Sequence, residues 1–199
     1  MLSEEDKRTA LKIARHVLES VVRDRTKPSP KKVAAKFELS DALKQKAGVF
    51  VTLKTGRGTA ARKALRGCIG YIVGRSSVYE AIIDNAYNAS VRDYRFDPVE
   101  PKELSRISIT ISVMSPLIEC TPDDVVVGRD GLVLEYEDNR GVFLPQVPTE
   151  NGWSKLEYLE HLCTKAGVST NKWKDEKAVL HRFTAQVFGE DDFPDLYKD

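Results

Sequence analysis

The clearest signal for the fold is the stretch ISITISVM, residues Ile107–Met114, in which isoleucine or valine occupies nearly every second position. Alternation with a period of two is typical of a β-strand that buries one face. Further strands are predicted at residues 48–55, 65–73, 132–137, 142–147 and 179–187. The first two of these are expected to pair as a hairpin with a long tip, and the next two to be joined by a turn at residues 138–141.

Serine caps predict where three helices begin. Ser3 precedes three acidic residues, and Ser77 and Ser154 are each followed three positions later by glutamate, which is the spacing of a capping box. In the first helix the apolar residues recur at helical spacing, at Ala10, Ile13, Ala14, Val17, Leu18 and Val21. Because helices separate strand pairs that are joined by turns, the pattern predicts an α+β fold with a mainly antiparallel sheet and flanking helices.

Composition and charge exclude several classes of protein. Thirty-one basic and thirty acidic residues leave a formal net charge of +1, so no global field would draw the chain to nucleic acid or anionic lipid. No stretch approaches the ~18 consecutive apolar residues of a membrane span. The three cysteines form no C-x-x-C pair, and the three histidines are scattered. We therefore expect a cytoplasmic protein with reduced thiols, no metal site, and neither nucleic acid nor a membrane as a partner.

The segment with the strongest indication of a functional site is LRGCIG at residues 65–70. In a regular strand Arg66 and Cys68 share one face, and a neighbouring guanidinium would favour the reactive thiolate. Gly67 and Gly70 weaken a strand unless a ligand or another backbone approaches closely. The alternative interpretation is that Cys68 is a small buried residue and Arg66 an ordinary paired or surface charge.

Other candidate residues lie outside this segment. The loop at residues 54–66 carries five basic residues and no acid, which is compatible with an anion site or with a solvated loop. Several hydrogen-bonding side chains are clustered near the end of the second capped helix, where they either bind a ligand or satisfy a turn. An amide and an aromatic residue later in the chain are also candidates. These further candidates are Asn85, Asp93, Arg95, Asp97, Gln146 and Trp153.

Several segments together resemble one known family. LRGCIG looks like the hallmark of the AMMECR-one domain family, and residues 85–87, 93–96, 111–116 and 143–147, with Trp153 and Cys163, resemble its pattern in order. Tyr94 departs from it, because many relatives are expected to have proline there. The resemblance implies a two-lobed α+β protein with a cleft and without an established activity. We assign residues 1–119 to a larger lobe and 120–199 to a smaller one, and allow the last strand to return to the first lobe.

Three functions remain open. The first is binding of a small polar or anionic ligand, or of a protein partner, in the cleft around Arg66 and Cys68. The second is an enzyme in which Cys68 is a nucleophile or redox thiol and Asn85, Arg95 and Gln146 hold a polar substrate. The third is RNA binding through the basic loop. We favour binding, because no histidine or carboxylate stands at a spacing that supplies an evident general base. The sequence defines neither a cofactor nor an oligomeric state.

Overall fold

The structure is a computed structural model that describes residues 1–56 and 63–197. Its helices and strands, in chain order, are α1 (Glu4–Asp24), α2 (Pro30–Lys36), α3 (Asp41–Lys44), β1 (Val49–Thr55), β2 (Ala64–Tyr71), α4 (Val78–Val91), β3 (Ile107–Met114), β4 (Ile118–Glu119), β5 (Gly131–Tyr136), β6 (Asn139–Phe143), α5 (Gln146–Glu150), α6 (Lys155–Ala166), β7 (Val179–Phe183) and β8 (Ala185–Gly189). The predicted α+β class with antiparallel sheets is confirmed.

The chain divides into two compact units, Met1–Met114 with Gln186–Asp199, and Ser115–Ala185. In the first unit, a four-stranded sheet has the order β2-β1-β3-β8, so that β2 lies at an edge. Helices α1 and α4 pack against each other and against this sheet. The predicted apolar face of α1 is fully part of the core, since all six of its residues are buried. Burial of such a face supplies most of the stability of a helix in a protein.

Local signals placed the helix ends well. Ser3, Ser77 and Ser154 are the N-caps of α1, α4 and α6, and each forms a capping box with an acidic residue three positions later. Each box satisfies backbone N–H groups that the first helical turn leaves without partners. Helix α6 ends at Gly167, whose φ of 79° is the left-handed conformation expected of a C-terminal glycine.

The second unit contains a four-stranded sheet of order β4-β7-β5-β6, against which α6 packs. The turn predicted at residues 138–141 is shorter than expected, because Tyr136 pairs with Asn139 and leaves only Glu137 and Asp138 in the loop. Glu137 takes the turn's positive φ, 53°. Gly141, which we expected in the turn, lies in β6, where a Cβ would come within 2.5 Å of the Leu162 carbonyl oxygen on α6.

Two strand predictions were wrong, because one predicted strand is divided and the other is shorter than expected. The single strand expected over residues 179–187 is two strands, β7 in the sheet of the second unit and β8 in the sheet of the first. The strand expected over residues 142–147 stops at Phe143, and α5 begins at Gln146. Pro145 accounts for the second difference, since a proline cannot donate to a strand ladder but tolerates the start of a helix.

Candidate functional site

Cys68 lies in the edge strand β2, directly opposite Thr52 of β1. The two side chains therefore share one face of the sheet. The Cys68 sulfur lies 3.1 Å from Oγ1 of Thr52, a distance at which either group can donate a hydrogen bond. Cys68 is half-buried and forms no disulfide. A neutral hydroxyl, rather than a base, is thus its hydrogen-bonding neighbour.

A β-bulge separates Arg66 from Cys68. Gly67 pairs with Leu53, but the next pair joins Leu65 to Lys54, so Arg66 is an extra residue in the strand. Regular alternation, from which we expected the two side chains to be neighbours on one face, is interrupted at this point because a bulge reorients the strand. The sequence of β2 alone does not reveal this extra residue, because the bulge is defined by the register of β2 with β1.

The guanidinium of Arg66 is occupied by other partners. Nε and Nη2 donate to the two carboxylate oxygens of Glu103 at 2.7 and 3.0 Å, and Nη1 donates to the carbonyl oxygen of Asp97 at 2.9 Å. The hydrogen bond to Glu103 raises the pKa of Arg66, and the same bond lowers the pKa of Glu103. Arg66 therefore fastens β2 to the segment that follows the α4 helix.

Replacing Arg66 by alanine should lower the free energy of unfolding by about 2 kcal/mol, because a bidentate and largely buried pair with Glu103 is lost. Urea denaturation of the two proteins measures the difference. Lys102 is the control, since its ion pair with Glu100 is solvent-exposed and Lys102→Ala should change stability little. Equal stability of Arg66→Ala and wild type would contradict a structural role for Arg66.

The two glycines of the segment are required by neighbouring protein groups. A Cβ on Gly67 would come within 2.2 Å of the Ala89 carbonyl oxygen on α4. A Cβ on Gly70 would come within 2.3 Å of the Phe50 ring on β1. Of the two explanations for a glycine in a strand, close approach of the protein's own groups therefore accounts for both positions.

Asp93 and Arg95 close the free edge of β2 at Cys68. The carboxylate of Asp93 accepts a hydrogen bond from the Cys68 backbone N–H at 2.8 Å, and Nη2 of Arg95 donates to the Cys68 carbonyl oxygen at 3.3 Å. Nε and Nη2 of Arg95 also donate to the two carboxylate oxygens of Asp93. These side chains occupy backbone groups that a further strand would otherwise use.

The pair formed by Asp93 and Arg95 is asymmetric in exposure. Asp93 is almost completely buried, whereas 42% of the Arg95 side chain is exposed. The hydrogen bonds from Arg95 hold the pKa of Asp93 far below its usual range, and the bonds to Asp93 raise the pKa of Arg95. Both groups are therefore charged at neutral pH. Within the described residues, Arg95 rather than Arg66 donates a hydrogen bond to Cys68, at its backbone carbonyl oxygen.

Asn85 and Asp97 lie near this region but have different surroundings. Asn85 is 1% exposed, and its Nδ2 donates to the Val49 carbonyl oxygen at 3.0 Å. Its Oδ1 has no hydrogen-bond partner among the described residues. Asp97 is exposed, and it is its backbone carbonyl that contacts Arg66. Asn85 thus joins α4 to β1 inside the core.

Gln146 and Trp153 belong to the second unit. Gln146 is exposed, not buried in a strand as its apolar neighbours suggested. Trp153 immediately precedes the cap of α6 and stacks on His161, with ring centroids 4.0 Å apart. The rings of Trp153 and Phe143 also meet in an edge-on arrangement, with centroids 5.4 Å apart. Trp153 therefore packs against neighbouring aromatic rings beside the start of α6.

Sequence reasoning did not identify Thr52 or Glu103 as neighbours of the segment. Thr52 is sixteen residues from Cys68, and Glu103 is thirty-seven from Arg66. No spacing within one element connects them, so only the register of the sheet and the path of the turn bring them together. The sequence places Asp93 among the groups that satisfy a turn or bind a ligand. Its position two residues before Arg95 is the sequence signal for the pair that they form.

No group of three or more histidine, cysteine, aspartate or glutamate side chains within residues 1–56 and 63–197 is arranged to hold a metal ion. In the same part of the chain, no helix is both long enough and apolar enough to cross a membrane.

Comparison with known proteins identifies relatives of the whole chain. A sequence model of the family described as AMMECR1 matches residues 11–188. A protein of Methanocella arvoryzae is 39% identical over 198 residues, which are 96% of this chain and 93% of the relative. A protein of Thermococcus kodakarensis is 38% identical and covers 92% of this chain and 89% of its own length.

A solved structure also resembles this one. The crystal structure of the uncharacterized protein PH0010 from Pyrococcus horikoshii aligns with a TM-score of 0.78 and 34% sequence identity. The alignment covers 94% of this chain and 93% of that one.

Proposed function

We propose that this chain, which belongs to the AMMECR1 family, binds a small polar or anionic ligand, or a partner protein that presents such a group, beside Cys68. The main contact would be the guanidinium of Arg95. The thiol of Cys68 and the hydroxyl of Thr52 would supply neutral hydrogen bonds on the adjoining face of the sheet.

The observation that carries the proposal is the set of hydrogen bonds made by the guanidinium of Arg95, together with its exposure. Nε and Nη2 are committed to Asp93 and Cys68, which fixes the plane of the guanidinium. Nη1 has no hydrogen-bond partner among the residues that the structure describes, and the side chain is partly exposed. A cation that is oriented in advance loses little side-chain entropy when it binds an anion.

The contacts of Cys68 support binding more than covalent catalysis. A nucleophilic cysteine needs a neighbouring base or another feature that favours its thiolate. The hydrogen-bonding neighbour of the sulfur is the hydroxyl of Thr52, which is not a general base at neutral pH. Arg66, which we had expected to activate the thiol, is instead paired with Glu103. Arg95 donates to the backbone carbonyl oxygen of Cys68 and is paired with Asp93.

RNA binding through the basic loop has less support. Residues 57–62 of that loop lie outside the described part of the chain. Of the flanking cations, Lys63 forms an ion pair with Asp191, and Arg66 forms one with Glu103. All three guanidinium nitrogens of Arg66 donate to protein acceptors, so Arg66, unlike Arg95, has no nitrogen left to donate to a phosphate.

Titration of the whole chain with inorganic phosphate tests the proposal. We expect the backbone amide resonances of Cys68 and Arg95 to shift in ¹H–¹⁵N NMR spectra with saturable dependence on phosphate. Arg95→Gln should weaken this binding by about tenfold or more, because a charge-assisted contact is lost. Cys68→Ser replaces the thiol with a hydroxyl, which can form similar hydrogen bonds, and this variant should retain binding.

Arg92→Gln is the matched control. Arg92 is an exposed arginine three positions earlier, and its guanidinium lies 5.3 Å from the centre of the Tyr87 ring. The Arg92→Gln variant should therefore bind phosphate beside Cys68 with the same affinity as the wild type. Unshifted resonances at Cys68 and Arg95, or equal affinity of Arg95→Gln and wild type, would remove the basis for the proposal.

A further inference from the structure

A separate cavity in the first unit is lined by none of the residues that surround Cys68. It has a volume of about 450 Å³. Its walls come from one side of α1, from the 3₁₀ helix Pro101–Arg106 and from the C-terminal segment, and they comprise Arg15, Glu19, Arg23, Pro101, Leu104, Ser105 and Tyr197. Its size falls in the range of small-molecule sites.

The inner wall of the cavity is held by hydrogen bonds, and its charges are paired. Arg15 is buried and forms an ion pair with Glu190. It also donates to the carbonyl oxygens of Leu104 at 3.3 Å and Ile107 at 2.8 Å. The hydroxyl of Tyr197 donates to Glu190 at 2.6 Å, which places the C-terminal segment against this wall. The charge of Arg15 is therefore already compensated by protein.

The remaining charges of the cavity are not compensated in this way. Glu19 and Arg23 stand four residues apart on α1, with the glutamate nearer the N-terminus, which is the order that favours an ion pair on a helix. Nevertheless, within the described residues neither side chain forms an ion pair or a hydrogen bond. A carboxylate and a guanidinium thus line the same cavity, one helical turn apart, and each is open to a ligand.

We propose that this cavity binds a free α-amino acid with an apolar side chain. Its ammonium group would pair with Glu19 and its carboxylate with Arg23, while Ser105 offers a hydroxyl. The apolar side chain would lie against Pro101 and Leu104. A free amino acid fits better than a peptide, because it carries both charges within a few ångströms, as the one-turn separation of about 6 Å requires.

Isothermal titration of the whole chain with L-phenylalanine, L-leucine and L-methionine tests this site. We expect at least one of the three to bind. For the one that binds, the analogue without the ammonium group and the analogue without the carboxylate should each bind about tenfold more weakly or worse, since each loses one charged contact. Glu19→Gln and Arg23→Gln should each reduce affinity for the amino acid to a similar degree.

Two variants on the same helix serve as controls. Glu5→Gln and Lys12→Gln remove exposed charges that do not line the cavity, and both should bind as the wild type does. Binding should also persist in Arg95→Gln, which separates this site from the one beside Cys68. The proposal fails if none of the three amino acids binds, if the analogues that lack the ammonium group or the carboxylate bind equally well, or if Glu19→Gln and Arg23→Gln keep full affinity.

Discussion

Replacing Glu190 by alanine is expected to lower the free energy of unfolding by about 3–5 kcal/mol, because it leaves the buried charge of Arg15 without its partner. Glu190 also accepts hydrogen bonds from the backbone N–H of Ile109 at 3.0 Å and from the hydroxyl of Tyr197 at 2.6 Å. Burial alone would lower the pKa of Arg15, but the hydrogen bonds and charge of Glu190 outweigh it and raise that pKa. The arginine therefore stays charged when the chain folds.

Urea denaturation followed by circular dichroism measures this loss. The matched control is Asp195→Asn, since Asp195 also lies in the C-terminal segment and pairs with an arginine of α1, namely Arg8. That pair is exposed to solvent, so the control should lose at most about 1 kcal/mol. Similar losses in the two variants would contradict the view that burial makes the Glu190 pair dominant.

The sequence predicted those parts of the fold that depend on neighbouring residues. Strand β3 coincides with the stretch whose alternation is clearest, and the serine caps located three helices. In each case the stabilising contacts, a buried face or a box three residues long, are encoded within one element. The α+β class followed from the order of these elements.

The candidate site was harder to predict because its contacts span distant residues. LRGCIG identified Cys68, but the bulge at Arg66 depends on the register with β1. The edge of β2 is closed by Asp93 and Arg95, which come from the turn after α4. Neither the register nor the turn is encoded in the hexapeptide itself, so the arginine beside Cys68 was assigned incorrectly.

The last strand illustrates a second limit. Residues 179–187 alternate without a break, yet Phe183 belongs to one sheet and Ala185 begins a strand in another. The alternation reports neither which sheet a residue joins nor which residues are buried. Val179 and Val187 are 36% and 55% exposed, whereas Leu180, on the opposite face of the predicted strand, is buried.

Gly67→Ala should also be among the most damaging substitutions, with a loss of about 3 kcal/mol or more in the free energy of unfolding. The added methyl group would lie 2.2 Å from the carbonyl oxygen of Ala89. That oxygen belongs to the backbone of α4, so no flexible side chain can move aside. Either β2 or α4 must shift, although the two elements pack against each other. Urea denaturation of the variant and the wild type measures the loss.

Gly152→Ala separates this steric effect from the general effect of replacing glycine. Gly152 has a positive φ of 67°, but a Cβ there would meet no atom within 4 Å. Only backbone strain should oppose that substitution, at a cost of about 1 kcal/mol. Equal losses in the two variants would mean that close packing on α4 is not the reason for glycine at position 67. A larger loss for Gly67→Ala, with resonance shifts that extend to Asp93 and Arg95, would connect the glycine to the site, because α4 leads directly into the turn that carries both residues.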